Sequence, residues 1–285
     1  MRDSGFSLPR RVLLPVGLAL FALFSLAPFA WMALSSFLYQ SQLLSDPFAL
    51  PPSLTLDNYA RLFTSPSAGV GSANFVRAVV NSLGVCAATT VVSVVAGTLG
   101  GYACARLRFP GQNALVLLLL AIQFLPTVTL IIPMFMIGRA VHLLDTWWIL
   151  ILAYTSVILP YMLWILRGYF ARIPRSLESA ARIDGCSRLG AFVRIVLPLA
   201  APGVAATAIF AFLTAWDEFF FALIFTNSYA AKTLPVALSE FTTRHTSDFG
   251  LLMAGGVVAN ILPVLMALGL QRYIVRGLTA GTVKG

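Results

Sequence analysis

The sequence predicts an all-α, polytopic membrane protein, and three observations support that prediction. Residues of the set Ala, Val, Ile, Leu, Met, Phe, Trp, Tyr and Cys fill 59% of the 285 positions, and charged residues fill only 10%. An ordinary globular domain carries about 25% charged residues, so too few remain here to cover a water-facing surface. The 19 basic and 10 acidic residues also collect in short segments. Between those segments lie six apolar runs, each long enough for a helix to cross a hydrocarbon core of about 30 Å, which takes about 20 residues at about 1.5 Å per residue.

The first run extends from about Val12 to Phe37 and follows Arg2, Arg10 and Arg11. It exceeds the 7–15 residues of a cleavable signal core, so it reads as a retained span. The second covers about Phe75 to Ala105, and its Gly97–Gly101 spacing suits close helix contact. The third covers about Ala114 to Ile137, the fourth about Trp147 to Leu166, the fifth about Pro202 to Phe225 and the sixth about Leu251 to Tyr273. Pro126, Pro133, Pro160 and Pro263 interrupt these runs and are expected to bend helices. The whole chain, 1–285, reads as a single transmembrane domain with a long loop at about 167–201.

Six spans place both termini on one side. That side carries 14 of the 19 basic residues, and the other carries 5: Arg61, Arg77, Arg139, Lys232 and Arg244. By the positive-inside rule the termini are expected in the cytoplasm. The net charge of +9 is thereby accounted for as topology. Without a basic run interleaved with aromatics, nucleic acid is not an expected partner. Two outer loops, roughly 38–74 and 226–250, are large enough for an external partner to dock. Cys86, Cys104 and Cys186 form no CxxC pair and read as small apolar filler.

A phosphate-cradling loop needs Gly-Lys-Ser/Thr, and the two lysines, Lys232 and Lys284, follow Ala231 and Val283. The sequence contains no HExxH and no GxSxG, and His142 and His245 lie in separate outer loops. A hydrolase, a zinc enzyme and an ATP-binding subunit are therefore not expected, and no catalytic residue or metal ligand is predicted.

The loop between the fourth and fifth runs is the informative one. Ile173-Pro174-Arg175-Ser176-Leu177-Glu178-Ser179-Ala180-Ala181-Arg182-Ile183-Asp184-Gly185-Cys186 predicts a helix of about eight residues. Ser176 is its expected N-cap, Glu178 suits its first turn, and Gly185 is its stop. Alone in water so short a helix is marginal, so a partner is expected to hold it. Leu177, Ala180, Ala181 and Asp184 fall at helical spacing on one face, and the two alanines admit a close backbone.

From Glu178 to Pro202 this stretch resembles the EAA loop of ABC importer permeases. Ala180, Ala181, Asp184, Gly185, Phe192, Ile195, Leu197, Pro198 and Pro202 match the pattern. Ser179 stands where the family has glutamate, and Cys186 where it has alanine. The resemblance extends to the carbohydrate-uptake permeases of the maltose type, and within them to the second permease of that system. It runs through Asn58-Tyr59, Asn81-Ser82, Ala105-Arg106-Leu107-Arg108-Phe109-Pro110-Gly111, Asp145-Thr146-Trp147, Trp216-Asp217-Glu218-Phe219 and the ending from Gln271 to Gly285. Family members usually carry asparagine at the position of Asp217.

The resemblance implies a non-catalytic subunit with no cofactor of its own. Its implied partners are a homologous second permease, two ATPase subunits that bind ATP and Mg, and an extracytoplasmic solute-binding protein. The implied setting is a bacterial or archaeal cytoplasmic membrane. It assigns ATPase coupling to Leu177, Glu178, Ser179, Ala180, Ala181, Asp184, Gly185, Cys186, Leu197 and Pro198, and an ATPase-interface tail to Gly281, Val283, Lys284 and Gly285. Related permeases serve trehalose, maltodextrins, amino sugars and glycerol phosphate esters.

Mid-span polar groups are costly in lipid and mark a translocation pathway, an ion pair or interhelical contact. Asn81, Gln123, Trp216, Asp217, Glu218 and Asn260 are the pathway candidates. With the fifth span starting near Pro202, Asp217 is expected roughly 22 Å along it at 1.5 Å per residue. An alternative reading is an ion-coupled secondary transporter working through Asp217 or Glu218.

Overall fold

The computed structural model describes residues 7–45, 53–64, 72–242 and 248–279, with side chains described from residue 13 to 271 within those segments, Ser72 excepted. Among the described residues the elements are helices. They are α1 (Ser7–Ser35), α2 (Gln40–Ser45), α3 (Asp57–Thr64), α4 (Ser72–Arg106), α5 (Gln112–Ile122), α6 (Ile131–Ala140), α7 (Trp147–Arg172), α8 (Arg175–Ile183), α9 (Arg188–Ala191), α10 (Leu197–Trp216), α11 (Phe220–Phe225), α12 (Leu234–Ser239) and α13 (Phe249–Thr279). Five apolar helical segments have span length: Leu13–Ser35, Ala73–Arg106, Trp147–Arg172, Arg188–Trp216 and Phe249–Gln271. The sixth is the pair Gln112–Ile122 and Thr127–Ala140, bent by 100°.

The bend expected at Pro126 is thus a break between two helices rather than a kink in one running from Ala114 to Ile137. α5 stops at Ile122, Pro126 takes an extended conformation (φ −56°, ψ 127°), and a 3-10 turn at Thr127–Leu130 leads into α6. A proline ring fixes its own φ and pushes the residue before it out of the helical region. Pro160 and Pro263, by contrast, lie inside the continuous helices α7 and α13.

The fifth span is also shifted from its expected bounds of 202–225. Its apolar helical stretch begins at Arg188 and passes through a π turn at Phe192–Val196 into α10. The widened turn accommodates Pro198, whose ring has no N–H to give the Arg194 carbonyl. α10 then ends at Trp216, so Asp217 and Glu218 follow the helix rather than lie within it.

The chain groups into two compact units, Met1–Ala73 with Leu238–Ile261, and Asn74–Ala237 with Leu262–Gly285. In the first, buried Asn58 donates from Nδ2 to the carbonyls of Ser36 (3.0 Å) and Leu38 (2.8 Å), which follow the end of α1. Arg61 pairs with Asp248 at 2.6 Å. In the second, α4 packs on α7 through its glycines. A Cβ on Gly97 would stand 2.9 Å from Met162 Cβ, and one on Gly101 would stand 3.0 Å from the Arg167 backbone nitrogen. The close contact expected from the Gly97–Gly101 spacing therefore has α7 as its partner.

Candidate functional site

α8 is the short helix of the loop, and its sequence explains both ends. Pro174 (φ −58°, ψ 130°) precedes it, and the helix starts at Arg175. Ser176 thus sits in the first turn and is not the N-cap, because extended Pro174 takes that position. The capping serine in this loop is Ser187, whose Oγ accepts the Gly190 N–H at 3.0 Å and starts α9. At the C-terminus the Cys186 N–H donates to the Ala181 carbonyl (2.9 Å) and the Gly185 N–H to that of Arg182 (3.2 Å). Gly185 is left-handed at φ +90°. This is the Schellman closure, and the left-handed residue within it is favourable only for glycine and, less so, asparagine.

Of the residues predicted to share one face of α8, Leu177, Ala180 and Asp184 are exposed and Ala181 is not. Ala181 is 4% exposed and packs inward, whereas Ile183 is 85% exposed. Leu177, Ser179, Ala180, Asp184 and Gly185 are exposed, and Cys186 is half-buried. α8 turns its other side inward because Glu178 makes an ion pair there. Glu178 Oε1 lies 2.8 Å from Arg106 Nε, with side-chain exposures of 16% and 5%. The Tyr102 hydroxyl donates to Glu178 Oε2 at 3.3 Å, and Arg106 also donates to the Ile173 carbonyl at 2.6 Å. Glu178 therefore braces α8 against the end of α4. Ser179, where the pattern has glutamate, instead donates its hydroxyl to the Arg175 carbonyl at 3.2 Å. Leu197 and Pro198 open α10, and Pro198 is exposed. Gly281, Val283, Lys284 and Gly285 lie outside the described residues.

The pathway candidates do not gather into one site. Asn81 is 5% exposed. Its Nδ2 donates to the Tyr229 (3.1 Å) and Lys232 (2.9 Å) carbonyls, and its Oδ1 accepts from Trp147 Nε1 at 3.0 Å. Its hydrogen-bonding capacity is spent inside the protein. Trp216 is 5% exposed and stacks on Phe212 with ring centroids 5.9 Å apart. Gln123, at the end of α5, donates to the Val157 carbonyl of α7, and Asn260 donates to Gly256 within its own helix, both at 2.9 Å.

The adjacent carboxylates have separate roles. Glu218 accepts the backbone N–H groups of Phe221 (3.0 Å) and Ala222 (3.3 Å), which caps the start of α11. Asp217 is exposed. Together they line a cleft of about 290 Å³ with Thr127, Tyr154, Thr214 and Phe219. Thr127 belongs to the turn after the α5–α6 break, so the break and the end of α10 form one lining. Asp217 is the exposed carboxylate of this cleft.

Sequence reasoning missed two devices. One is the Arg106–Glu178 brace, since nothing local signals a pairing between residues so far apart. The other is Asp145. Its backbone is left-handed (φ 60°). Its Oδ1 accepts the N–H groups of Asn227 and Ser228 at 3.0 Å each, and its Oδ2 accepts the Ser228 hydroxyl at 2.6 Å. Burial alone would raise this carboxyl, but the Ser228 and Asn227 hydrogen bonds with the Lys232 charge outweigh it and hold the pKa below the ordinary 3.8. A depressed acid contributes stability above its unfolded pKa and loses it as pH falls through the folded value. The protection of the Asn227 and Ser228 amides, taken as the ratio of intrinsic to observed exchange rate at each pH, should therefore hold at neutral pH and fall only below about pH 4. Asp145→Asn should abolish that pH dependence, and an unchanged exchange profile in this variant would refute the assignment.

Comparison with known proteins fits this architecture. Residues 93–280 match the family of binding-protein-dependent transport system inner membrane components. The chain is 39% identical over 264 residues to the trehalose transport system permease protein of Mycobacterium tuberculosis, covering 92% of this chain and 93% of the relative. It is 36% identical over 277 residues to the trehalose/maltose transport system permease protein of Thermococcus litoralis, covering 97% and 98%. It also resembles the sulfoquinovosyl glycerol transport system permease protein of Agrobacterium fabrum, at 36% identity over 91% of this chain and 89% of that one. The fold is shared with a chain of a bacterial ABC transporter that imports the acidic polysaccharide alginate, at a TM-score of 0.79 and 21% identity over 95% of this chain and 99% of that chain. These comparisons support the importer reading and not the ion-coupled alternative. The chain belongs to the binding-protein-dependent transport system inner membrane components and is a permease subunit of an ABC importer.

Proposed function

We propose that this permease carries a sugar or sugar derivative, that it pairs with a homologous second permease, and that α8 couples it to an ATPase subunit. Two ATPase subunits bind ATP and Mg and supply the energy. An extracytoplasmic solute-binding protein delivers substrate to the opposite face. Both termini and α8 lie in the cytoplasm of a bacterial or archaeal cell, which the 14-to-5 division of basic residues supports. The substrate class rests on the trehalose, maltose and sulfoquinovosyl glycerol named for the relatives. Asp217, at the cleft beside the α5–α6 break, is the acceptor offered to substrate hydroxyls.

The observation that carries the coupling reading is the two-sidedness of α8. One side is tied down by Glu178 and Ala181, and the other presents Ile183 at 85% exposure. A short helix braced at its base transmits a push on its apolar tip instead of absorbing it. Ile183→Asp places a charge on that tip without touching the Arg106 pair. In the reconstituted importer, uptake should fall more than tenfold, and the binding protein should no longer stimulate ATP hydrolysis. Full uptake by this variant would sink the coupling assignment.

A further inference from the structure

Beside α8 lies a second cavity, a cleft of about 600 Å³ lined by Tyr102, Leu107, Phe109, Ser179, Ala191, five arginines and one carboxylate. The arginines are Arg106, Arg108, Arg175, Arg182 and Arg188, and the carboxylate is Glu178. Glu178 is already committed to Arg106. Arg175 donates to the Ala105 carbonyl at 3.4 Å. Among the described residues Arg108, Arg182 and Arg188 have no carboxylate partner. Like charges gathered around one cavity repel one another unless an anion enters it.

The position of the cleft narrows the choice of anion. Arg106 ends the apolar helix Ala73–Arg106, which at about 1.5 Å per residue outreaches a hydrocarbon core of about 30 Å, so the cleft lies on the headgroup side of that boundary. Leu107 and Phe109, at 41% and 38% exposure, put apolar surface beside the arginines. That pairing suits a molecule that is anionic at one end and apolar at the other. The volume falls within the range of about 300–1,000 Å³ typical of small-molecule sites. Basic pockets among membrane helices at this level bind anionic headgroups.

We infer that this cleft is a binding site for the headgroup phosphate of an anionic phospholipid, held by Arg108, Arg182 and Arg188. Arg106 and Glu178 form the wall of the site. Glu178, Ser179 and Arg182 of α8 line this cleft, so a lipid held there would make the seating of α8 sensitive to membrane composition.

The test uses the full chain in its native assembly, reconstituted in nanodiscs of phosphatidylcholine with a minor fraction of phosphatidylglycerol, with native mass spectrometry counting retained phosphatidylglycerol. The wild type should retain it. R108Q/R188Q should weaken retention about 25-fold, at about fivefold per arginine near a membrane surface. R194Q, a charge loss outside the cleft, should leave retention unchanged. R182Q alone serves if the double variant fails to fold, with about a fivefold loss expected. Equal retention by wild type and cleft variants overturns the proposal. Binding of inorganic phosphate with no phosphatidylglycerol retained assigns the cleft to a free anion and overturns the lipid source. No retained lipid, with the arginines protected only when the ATPase subunit is bound, assigns the cleft to a protein carboxylate and overturns it as well.

Discussion

Replacing Arg106 with alanine should lower the stability of this permease by about 3 kcal/mol, the lower end of the range for breaking a buried ion pair from one side. Glu178 keeps 16% side-chain exposure, which moderates the penalty. The loss arises less from the missing attraction than from a largely occluded carboxylate left with the Tyr102 hydroxyl, at 3.3 Å, as its remaining direct hydrogen bond. Arg106→Ala/Glu178→Ala should therefore be more stable than Arg106→Ala alone, because the occluded carboxylate is then removed together with its partner. Thermal unfolding of the purified variants measures both. If the double variant is no more stable than the single one, the brace has no energetic role. Functionally, Arg106→Ala should also depress transport more than binding-protein affinity, since α8 loses its anchor while the opposite face is unchanged.

Gly185→Val should uncouple the transporter with little change in overall stability. A Cβ here meets nothing within 4 Å, so crowding is not the cause. The cause is φ +90°, which costs an L side chain roughly 1–2 kcal/mol, and more for a β-branched one. The cheapest relief is to open the Schellman closure, which releases the Ala181 and Arg182 carbonyls and unwinds the turn that carries Ile183. Uptake by reconstituted Gly185→Val should fall more than tenfold while its thermal midpoint moves little. Gly185→Asn should recover part of the activity, since asparagine tolerates the left-handed region better. If valine and asparagine behave alike, backbone conformation is not the cause.

Glu178 and Ser179 show what the sequence made legible about α8 and what it did not. A helix ending at Gly185 is visible because local chemistry dictates it: a proline before the helix, helix-forming residues within it and a residue free to turn left-handed after it. Which side of that helix faces outward is not visible. Periodicity groups Leu177, Ala180, Ala181 and Asp184, yet the structure buries Ala181 and exposes Ile183 because Glu178 reaches Arg106, 72 positions earlier in the chain. Asp217 and Glu218 show the same division. Their neighbourhood was expected from polarity, but only the end of α10 at Trp216 decides that Glu218 caps α11 while Asp217 stays open to the cleft.

By itself the sequence determined that this is a helical membrane protein, with a short helix in its arginine-rich loop and an EAA-like pattern there. Hydrophobic run length, charge asymmetry and turn chemistry are local or additive quantities that can be counted along a chain. The tertiary structure decided the 100° break after Ile122, the inward and outward faces of α8, the partners of Asn81, Asp145 and Glu178, and the arginine-lined cleft. Each of these depends on residues far apart in the chain meeting in space. The net gain of such a meeting is set by what each group loses in solvation and what it finds instead, and no segment carries that information alone.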